Sequence, residues 1–318
     1  MNYLLLLAIL ILSSYMYYTL AEKYNLKATL TTRSLHKKPT VVGIGILFVI
    51  AIFYFFFTNS YQFPYLTGAI ALIASISLLD DFFKLSAFFR IFIHVIVTVL
   101  VFYQLFNGIH LNALFIVFLL LGIGSVNTYN FMDGVNGMLG FNAIITIATF
   151  LTINYFETLV PQNLLVYVLV ALLVFGFFNF RKHALAFSGD VGSTVMGIFV
   201  FFLMLLFSFK LNALIFLAMI LVFFIDTFCT FCYRLFVTKE NLFLAHKHHL
   251  YEKSVETLGV SHLKIAFIYA FLQLVINCIV YYSYKLSTEY QVLILLGISS
   301  LGVLGYFYFF QKLKKLHL

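Results

Sequence analysis

Apolar and polar positions along this chain sort into long blocks rather than into a fine alternation. Eleven apolar stretches run at about 3–20, 41–58, 62–79, 88–106, 111–126, 138–155, 162–178, 194–209, 211–233, 262–284 and 288–311. A stretch of roughly 20 apolar residues, rising 1.5 Å per residue as a helix, crosses a bilayer's hydrocarbon core. Ten-residue segments of alternating polarity, the mark of a membrane barrel, are absent. The pattern therefore predicts an all-α polytopic integral membrane protein with about eleven transmembrane helices. Several connections are very short, such as "NSYQF" and "FKLN", so neighbouring helices are expected to pack as antiparallel hairpins. No internal repeat and no second domain stand out, and the whole of 1–318 is read as one membrane domain.

Composition agrees with that reading. The chain is 64% apolar and 9% charged, against about 25% charged residues in a soluble domain. The first apolar stretch has no basic leader and no small-residue cleavage site, so it is read as a retained helix. Cys229, Cys232 and Cys278 all fall in apolar runs and imply no disulfide framework. Charge then sets the expected orientation. With eleven spans, 17 of the 19 Lys and Arg fall on one face, and only Lys210 and Lys285 on the other. The positive-inside rule places the first face in the cytoplasm, the N-terminus outside and the C-terminus inside. Basic loops at a membrane surface account for the net charge of +8 without any nucleic acid.

The same division locates candidate chemistry. All five aspartates, Asp80, Asp81, Asp133, Asp190 and Asp226, fall at cytoplasmic helix ends or in cytoplasmic loops. Acids gathered at one surface suit an active site better than an ion pathway through the bilayer. In "LLDDFFKLSAFFR" the pair Asp80–Asp81 can bind a divalent cation or accept a proton, with Lys84 and Arg90 near enough to receive an anion. A helix cap explains one aspartate; two adjacent ones beside lipid fit that explanation poorly.

In "NTYNFMDGVNGMLG" (127–140), Asn127, Asn130 and Asp133 share a stripe if the helix is continuous. Asn136 joins them only if the helix breaks near Gly134. Glycines alone would serve a packing face, but two Asn and an Asp would not be needed there. In "FSGDVGSTVMG" (187–197), Gly189 and Gly192 flank Asp190, and Ser193–Thr194 are expected to open a helix whose N-terminus cradles phosphate. An ordinary glycine turn is the bland alternative, and the spacing is not that of a Walker A loop.

In "KENLFLAHKHHLYEK" (239–253), His246, Lys247, His248 and His249 form a dense donor cluster, with His246 and His249 expected on one helical face. Zinc would need a fourth ligand that this loop does not offer, so diphosphate binding is the more economical role. A solvated polar loop is the plain alternative. "RSLHKKPTVVGIGI" (33–46) carries Arg33, His36, Lys37 and Lys38 and needs no role beyond a basic surface loop. Taken together the loops outline a basic-rimmed pocket for a phosphorylated, water-soluble substrate held with a divalent cation. A secondary transporter of an anionic solute, the rival class, would want charges at mid-bilayer and paired broken helices. His94 is the chief polar side chain at that depth, and a satisfied core histidine explains it.

The ordered set "DDFFKLS", "NTYNFMDGVNGMLG", "NFRKHALAFSGDVGS" and "AHKHHLYE" resembles the polyprenyl-phosphate N-acetylhexosamine-1-phosphate transferases. That family includes enzymes that initiate surface polysaccharides, O-antigen among them, and phospho-N-acetylmuramoyl-pentapeptide transferase. The resemblance covers roughly residues 30–255. It implies a bacterial cytoplasmic-membrane enzyme that transfers a sugar-1-phosphate from a UDP-N-acetylhexosamine to undecaprenyl phosphate and releases UMP. It also implies Mg²⁺, or Mn²⁺ in its place. By the same resemblance Asp80 and Asp81 are catalytic beside the lipid phosphate, and Asp190 with Asp133 holds the metal. Asn127, Asn130, Asp133, Asn136, His246, His248 and His249 bind substrate. The chain departs from the pattern in two places. Asn136 stands where many members carry a second Asp, and "HKHH" replaces three consecutive histidines. The first leaves an amide that cannot balance a cation, and the second points toward a surface-polysaccharide enzyme using UDP-GlcNAc or a related sugar. The peptidoglycan transferase is the alternative, and a homodimer through lipid-facing helices is compatible with either.

Overall fold

The computed structural model describes residues 2–28, 38–83, 85–106, 108, 113–241 and 246–316, with the side chain of Phe82 set aside. Arg33, His36, Lys37, Lys84 and His317 lie outside the described residues. The protein is an all-α integral membrane protein. Its elements in chain order are α1 (Asn2–Lys23), β1 (Val41–Val42), α2 (Ile46–Thr58), α3 (Pro64–Phe83), α4 (Ala87–Phe106) and α5 (Ala113–Met132). They continue with α6 (Met138–Glu157), α7 (Gln162–Asn179), β2 (Ala186–Phe187) and α8 (Gly189–Lys210). A 3₁₀ segment (Leu214–Ile220) leads into α9 (Leu221–Tyr233), which ends in a π-turn (Arg234–Thr238). Then follow α10 (Leu250–Leu258), α11 (His262–Ser283) and α12 (Thr288–Leu316).

Every apolar stretch expected to span the membrane overlies a helix. Among the described residues, nine helices are long and apolar enough to cross a bilayer, and α2 is a shorter apolar one. Several boundaries differ from the sequence expectation, among them the end of α5, which runs on to Met132, and three more. The stretch beginning at 41 opens as a strand and becomes helical only at Ile46. Helix α3 runs on to Phe83, so Asp80 and Asp81 stand on its last turn rather than in a loop. The stretch at 211–233 opens with the 3₁₀ segment instead of a uniform helix.

Helix α8 is the axis of the bundle. It is apolar on all sides, and such a helix must be buried on all sides; every residue from Val191 to Ser208 is buried. Helices α3 and α5 pack along it, α4 packs on α3, and α6 joins α7 and α11 on the opposite flank. Strands β1 and β2 pair in parallel, Val41 with Ala186 and Val42 with Phe187, which fastens the chain before α2 to the chain before α8. Gly45 and Gly192 meet backbone to backbone where these two segments touch, and a Cβ on either would run into the other. The close approach is one that only glycine allows.

Candidate active site

Hydroxyl groups in the apolar helices set the positions of the acids. The Ser77 and Thr194 hydroxyls meet at 2.9 Å, joining α3 to α8 one turn below Asp80 and Asp81. Ser125 Oγ donates to the Gly197 carbonyl at 3.0 Å and joins α5 to α8. Thr194 Oγ1 also donates to the Asp190 carbonyl at 2.7 Å, within the first turn of α8. With three helix ends fixed to each other, their polar residues converge. Asn130 Nδ2 donates to Asp190 Oδ1 at 2.9 Å and to Ser193 Oγ at 3.1 Å. Ser188 Oγ donates to Asp133 Oδ2. The Asp81 carboxylate lies by the backbone N–H of Asp190 and feels the charges of Asp190 and Asp80. Asp80 Oδ1 accepts from the Leu85 N–H at 2.6 Å, and its Oδ2 pairs with Arg90 Nη1 at 3.2 Å.

Four carboxyls thus face one another, with the Arg90 guanidinium beside Asp80. Asp133 lies in the loop after α5. Burial pushes its carboxyl up to about 8, against the lowering effect of the Ser188 bond, and the charge of Asp190 adds to the rise. A group of like charges that cannot all ionise is a site prepared for a cation or for protons.

The histidine loop sits alongside. The His246 ring is stacked on that of His248 at 5.7 Å and tilted toward that of His249 at 5.1 Å. His248 Nε2 is 3.0 Å from Glu240 Oε1, and buried Arg234 also pairs with Glu240, at 3.3 Å. Burial first, then the neighbouring His249 and Arg234, push the His246 imidazole down to about 3, so it stays neutral. His249 is the N-cap of α10 and shares a capping box with Glu252. Tyr251 Oη donates to the Phe131 carbonyl at 2.9 Å and thereby ties α10 to the end of α5.

The structure brings together Asp80, Asp81, Asn130, Asp133 and Asp190, and brings His246, His248 and His249 together in a second group. Asn127 bonds to its own helix at Ile123 and lies 3.4 Å from His94 Nδ1, so His94 has a partner in the core. Asn136 falls beyond the break after Met132, as the sequence allowed. Its amide nitrogen donates to the Arg181 carbonyl at 2.9 Å, a bond that shapes the 181–187 loop. Two local expectations are corrected. Helix α8 starts at Gly189, not at Ser193–Thr194, so Asp190 is on its first turn. His246 and His249 do not share a helical face, because α10 begins only at Leu250; ring contact in the preceding loop joins them instead. Ser77, Ser125, Ser188 and Thr194 were missed as positioning residues. Their signal was a hydroxyl placed in an apolar run close to each acid.

Residues 63–208 match the glycosyl transferase family 4 model. The matched segment holds Asp80, Asp81, Asp133 and Asp190, and it overlaps the motifs whose resemblance to polyprenyl-phosphate N-acetylhexosamine-1-phosphate transferases is read from the sequence. The phospho-N-acetylmuramoyl-pentapeptide-transferase of Streptococcus uberis is 28% identical over 189 residues, which are 50% of this chain and 56% of that protein. The Dictyoglomus thermophilum protein of the same name is 28% identical over 181 residues, 52% of this chain and 58% of that protein. A shorter match, 33% over 91 residues, joins the chain to the Streptococcus mutans protein of that name, covering 28% of the chain and 26% of that protein. The chain therefore spans little more than half the length of these relatives at most.

The residues present fit a hard divalent cation in one particular way. Among the described residues no three His, Cys, Asp or Glu side chains are grouped so as to enclose a metal ion. The acids are nonetheless oxygen donors with like charge to neutralise. Mg²⁺ commonly takes one or two carboxylates and fills its remaining positions with substrate phosphate and water. Asp190 and Asp133 meet that lesser requirement.

Proposed function

We propose that this protein transfers a sugar-1-phosphate from a UDP-N-acetylhexosamine to undecaprenyl phosphate at the cytoplasmic face of a bacterial inner membrane, releasing UMP. The observation that carries the reading is the meeting of Asp80, Asp81, Asp133 and Asp190, from α3, α8 and the loop after α5, at one end of the bundle. Each of the reacting groups is a phosphate. Bringing two anions together is the chief obstacle, and opposing charge and alignment are what a protein can supply.

An oxygen of the lipid phosphate attacks the phosphorus bonded to the sugar. The bond from that phosphorus to the bridging oxygen breaks, and UMP leaves with that oxygen. Asp80 and Asp81, at the mouth of α3, orient the lipid phosphate and take any proton it carries. Arg90, paired with Asp80, offsets the charge brought by that phosphate. Asn130 holds Asp190 in place, Asn127 stands one turn before Asn130 on α5, and Asn136 shapes the 181–187 loop. Bound Mg²⁺, held by Asp190 and Asp133, would neutralise the diphosphate and the departing UMP. Neutral His246 offers a hydrogen bond without full charge, beside His248 and His249, toward the diphosphate and sugar.

A second reading, transfer of phospho-N-acetylmuramoyl-pentapeptide, is favoured by the names of the curated relatives. The spacing "HKHH" favours a simpler UDP-N-acetylhexosamine and a role in surface-polysaccharide initiation. Purified protein in nanodiscs is to be given undecaprenyl phosphate, Mg²⁺ and each UDP-sugar in turn, with UMP release followed. Turnover is expected with a UDP-N-acetylhexosamine and not with the pentapeptide donor. The reverse preference selects the second reading, and no UMP from any donor removes both.

A further inference from the structure

Asp226 belongs to neither group of site residues, yet it carries more hydrogen bonds than any of the clustered acids. It sits on α9, 2% exposed. Its Oδ1 receives His249 Nδ1 at 3.0 Å, the Leu250 N–H at 3.1 Å and Thr230 Oγ1 at 3.2 Å. Its Oδ2 receives Tyr269 Oη at 2.5 Å and the Tyr251 N–H at 3.4 Å. The carboxylate thus caps the first turn of α10 from another helix and grips the histidine that starts it.

We propose that Asp226 is a positioning residue that fixes His249, and with it the histidine loop, against the acid cluster. The inference rests on the reading of that loop as part of the donor site. An ionised carboxylate only accepts. His249 Nδ1 therefore donates in this bond, which fixes the orientation of the ring. Capping alone would be met by Ser or Asn without burying a charge; orienting an imidazole is what a buried carboxylate adds. Tyr251 completes the arrangement. Its N–H is on Asp226, and its hydroxyl bonds to the Phe131 carbonyl beside Gly134, where any side chain would run into that hydroxyl. One carboxylate on α9 is in this way connected, through Tyr251 of α10, to the end of α5 that carries Asn130 and leads into Asp133.

The test uses the full chain in nanodiscs, with Asp226→Asn, Tyr269→Phe, His249→Asn and the double variant Asp226→Asn/His249→Asn. Hydrogen exchange is read on peptides spanning 246–258 and, as a reference, 190–205. Steady-state constants are measured with whichever UDP-sugar supports turnover. Asp226→Asn is expected to speed exchange in 246–258 alone and to lower kcat/KM for the UDP-sugar roughly tenfold to a hundredfold. KM for polyprenyl phosphate should stay the same. In the His249→Asn background the same change should add little, because residues acting through one another are not additive. Tyr269→Phe should move the same readouts less. Unchanged exchange in both Asp226→Asn and Tyr269→Phe, or losses that multiply in the double variant, overturns the proposal. If the wild type turns over no UDP-sugar, the transferase reading falls, while the exchange measurement still decides whether Asp226 holds the loop.

Discussion

Two sets of buried polar side chains, the acids at the start of α8 (its near end) and the amides around the 3₁₀ segment that follows its far end, differ in how their partners are matched. At the far end the chain crosses apolar surroundings as a 3₁₀ segment, Leu214–Ile220, whose backbone needs partners from outside. Amides provide them. Gln273 Oε1 accepts from the Val222 N–H at 3.1 Å, and its Nε2 donates to the Ala218 carbonyl at 3.0 Å and to Asn277 Oδ1 at 2.8 Å. Gln291 Oε1 accepts from the Ile215 N–H at 3.3 Å, and its Nε2 bonds to the Leu286 carbonyl at 2.8 Å. Donor meets acceptor throughout, and no charge is involved. At the near end, carboxyl faces carboxyl and the matching is incomplete until a cation or protons arrive. Buried polarity in a membrane protein is therefore no sign of function in itself. The sign is like charge left in proximity.

The largest effect should come from removing charge where it is unmatched. Asp190→Asn keeps an oxygen for Asn130, so the helix ends should stay joined. UMP release in the presence of Mg²⁺ should nevertheless fall by about a hundredfold or more. Size-exclusion profile and melting midpoint should match the wild type. Full activity in this variant would remove Asp190 from the metal and make the near end as structural as the far end.

At the far end the expectation reverses. Gln273→Leu leaves the Val222 N–H and the Ala218 carbonyl without their side-chain partners, a loss of about 1–3 kcal/mol for a buried polar group. The apparent melting midpoint should drop by a few degrees. Activity per folded molecule should not change, and a selective loss of turnover would contradict the division.

The two ends were also unequally legible. Hydropathy alone revealed the helices, because each apolar block is long and sharply bounded. The acids were legible because five aspartates in so oily a chain have few structural uses. The 3₁₀ segment was not legible: "LIFLAMI" is as apolar as any helix here. The residues that permit it, Gln273 and Gln291, are distant in sequence. Gly189 and Gly192 look like turn residues in the sequence, which hides the start of α8. In the fold Gly192 lies inside the helix, where it lets Gly45 approach. Asp226 was seen as one of five acids, but its tie to His249 spans 23 positions and no local pattern announces it.

The smallest effect concerns a charge that is neither buried nor crowded. Lys285 Nζ pairs with Glu157 at 2.8 Å, and Tyr284 Oη donates to the same carboxylate at 2.8 Å. The Lys285 side chain is 69% exposed, so water and salt screen the pair and replace it readily when it is lost. Lys285→Ala should leave both the melting midpoint and UMP release within experimental error, at low and at high salt. The variant separates charge as such from charge held among like charges. If removing this exposed lysine lowered turnover as Asp190→Asn does, net surface charge would account for the near end as well, and the crowding of Asp80, Asp81, Asp133 and Asp190 would lose its claim to explain the site.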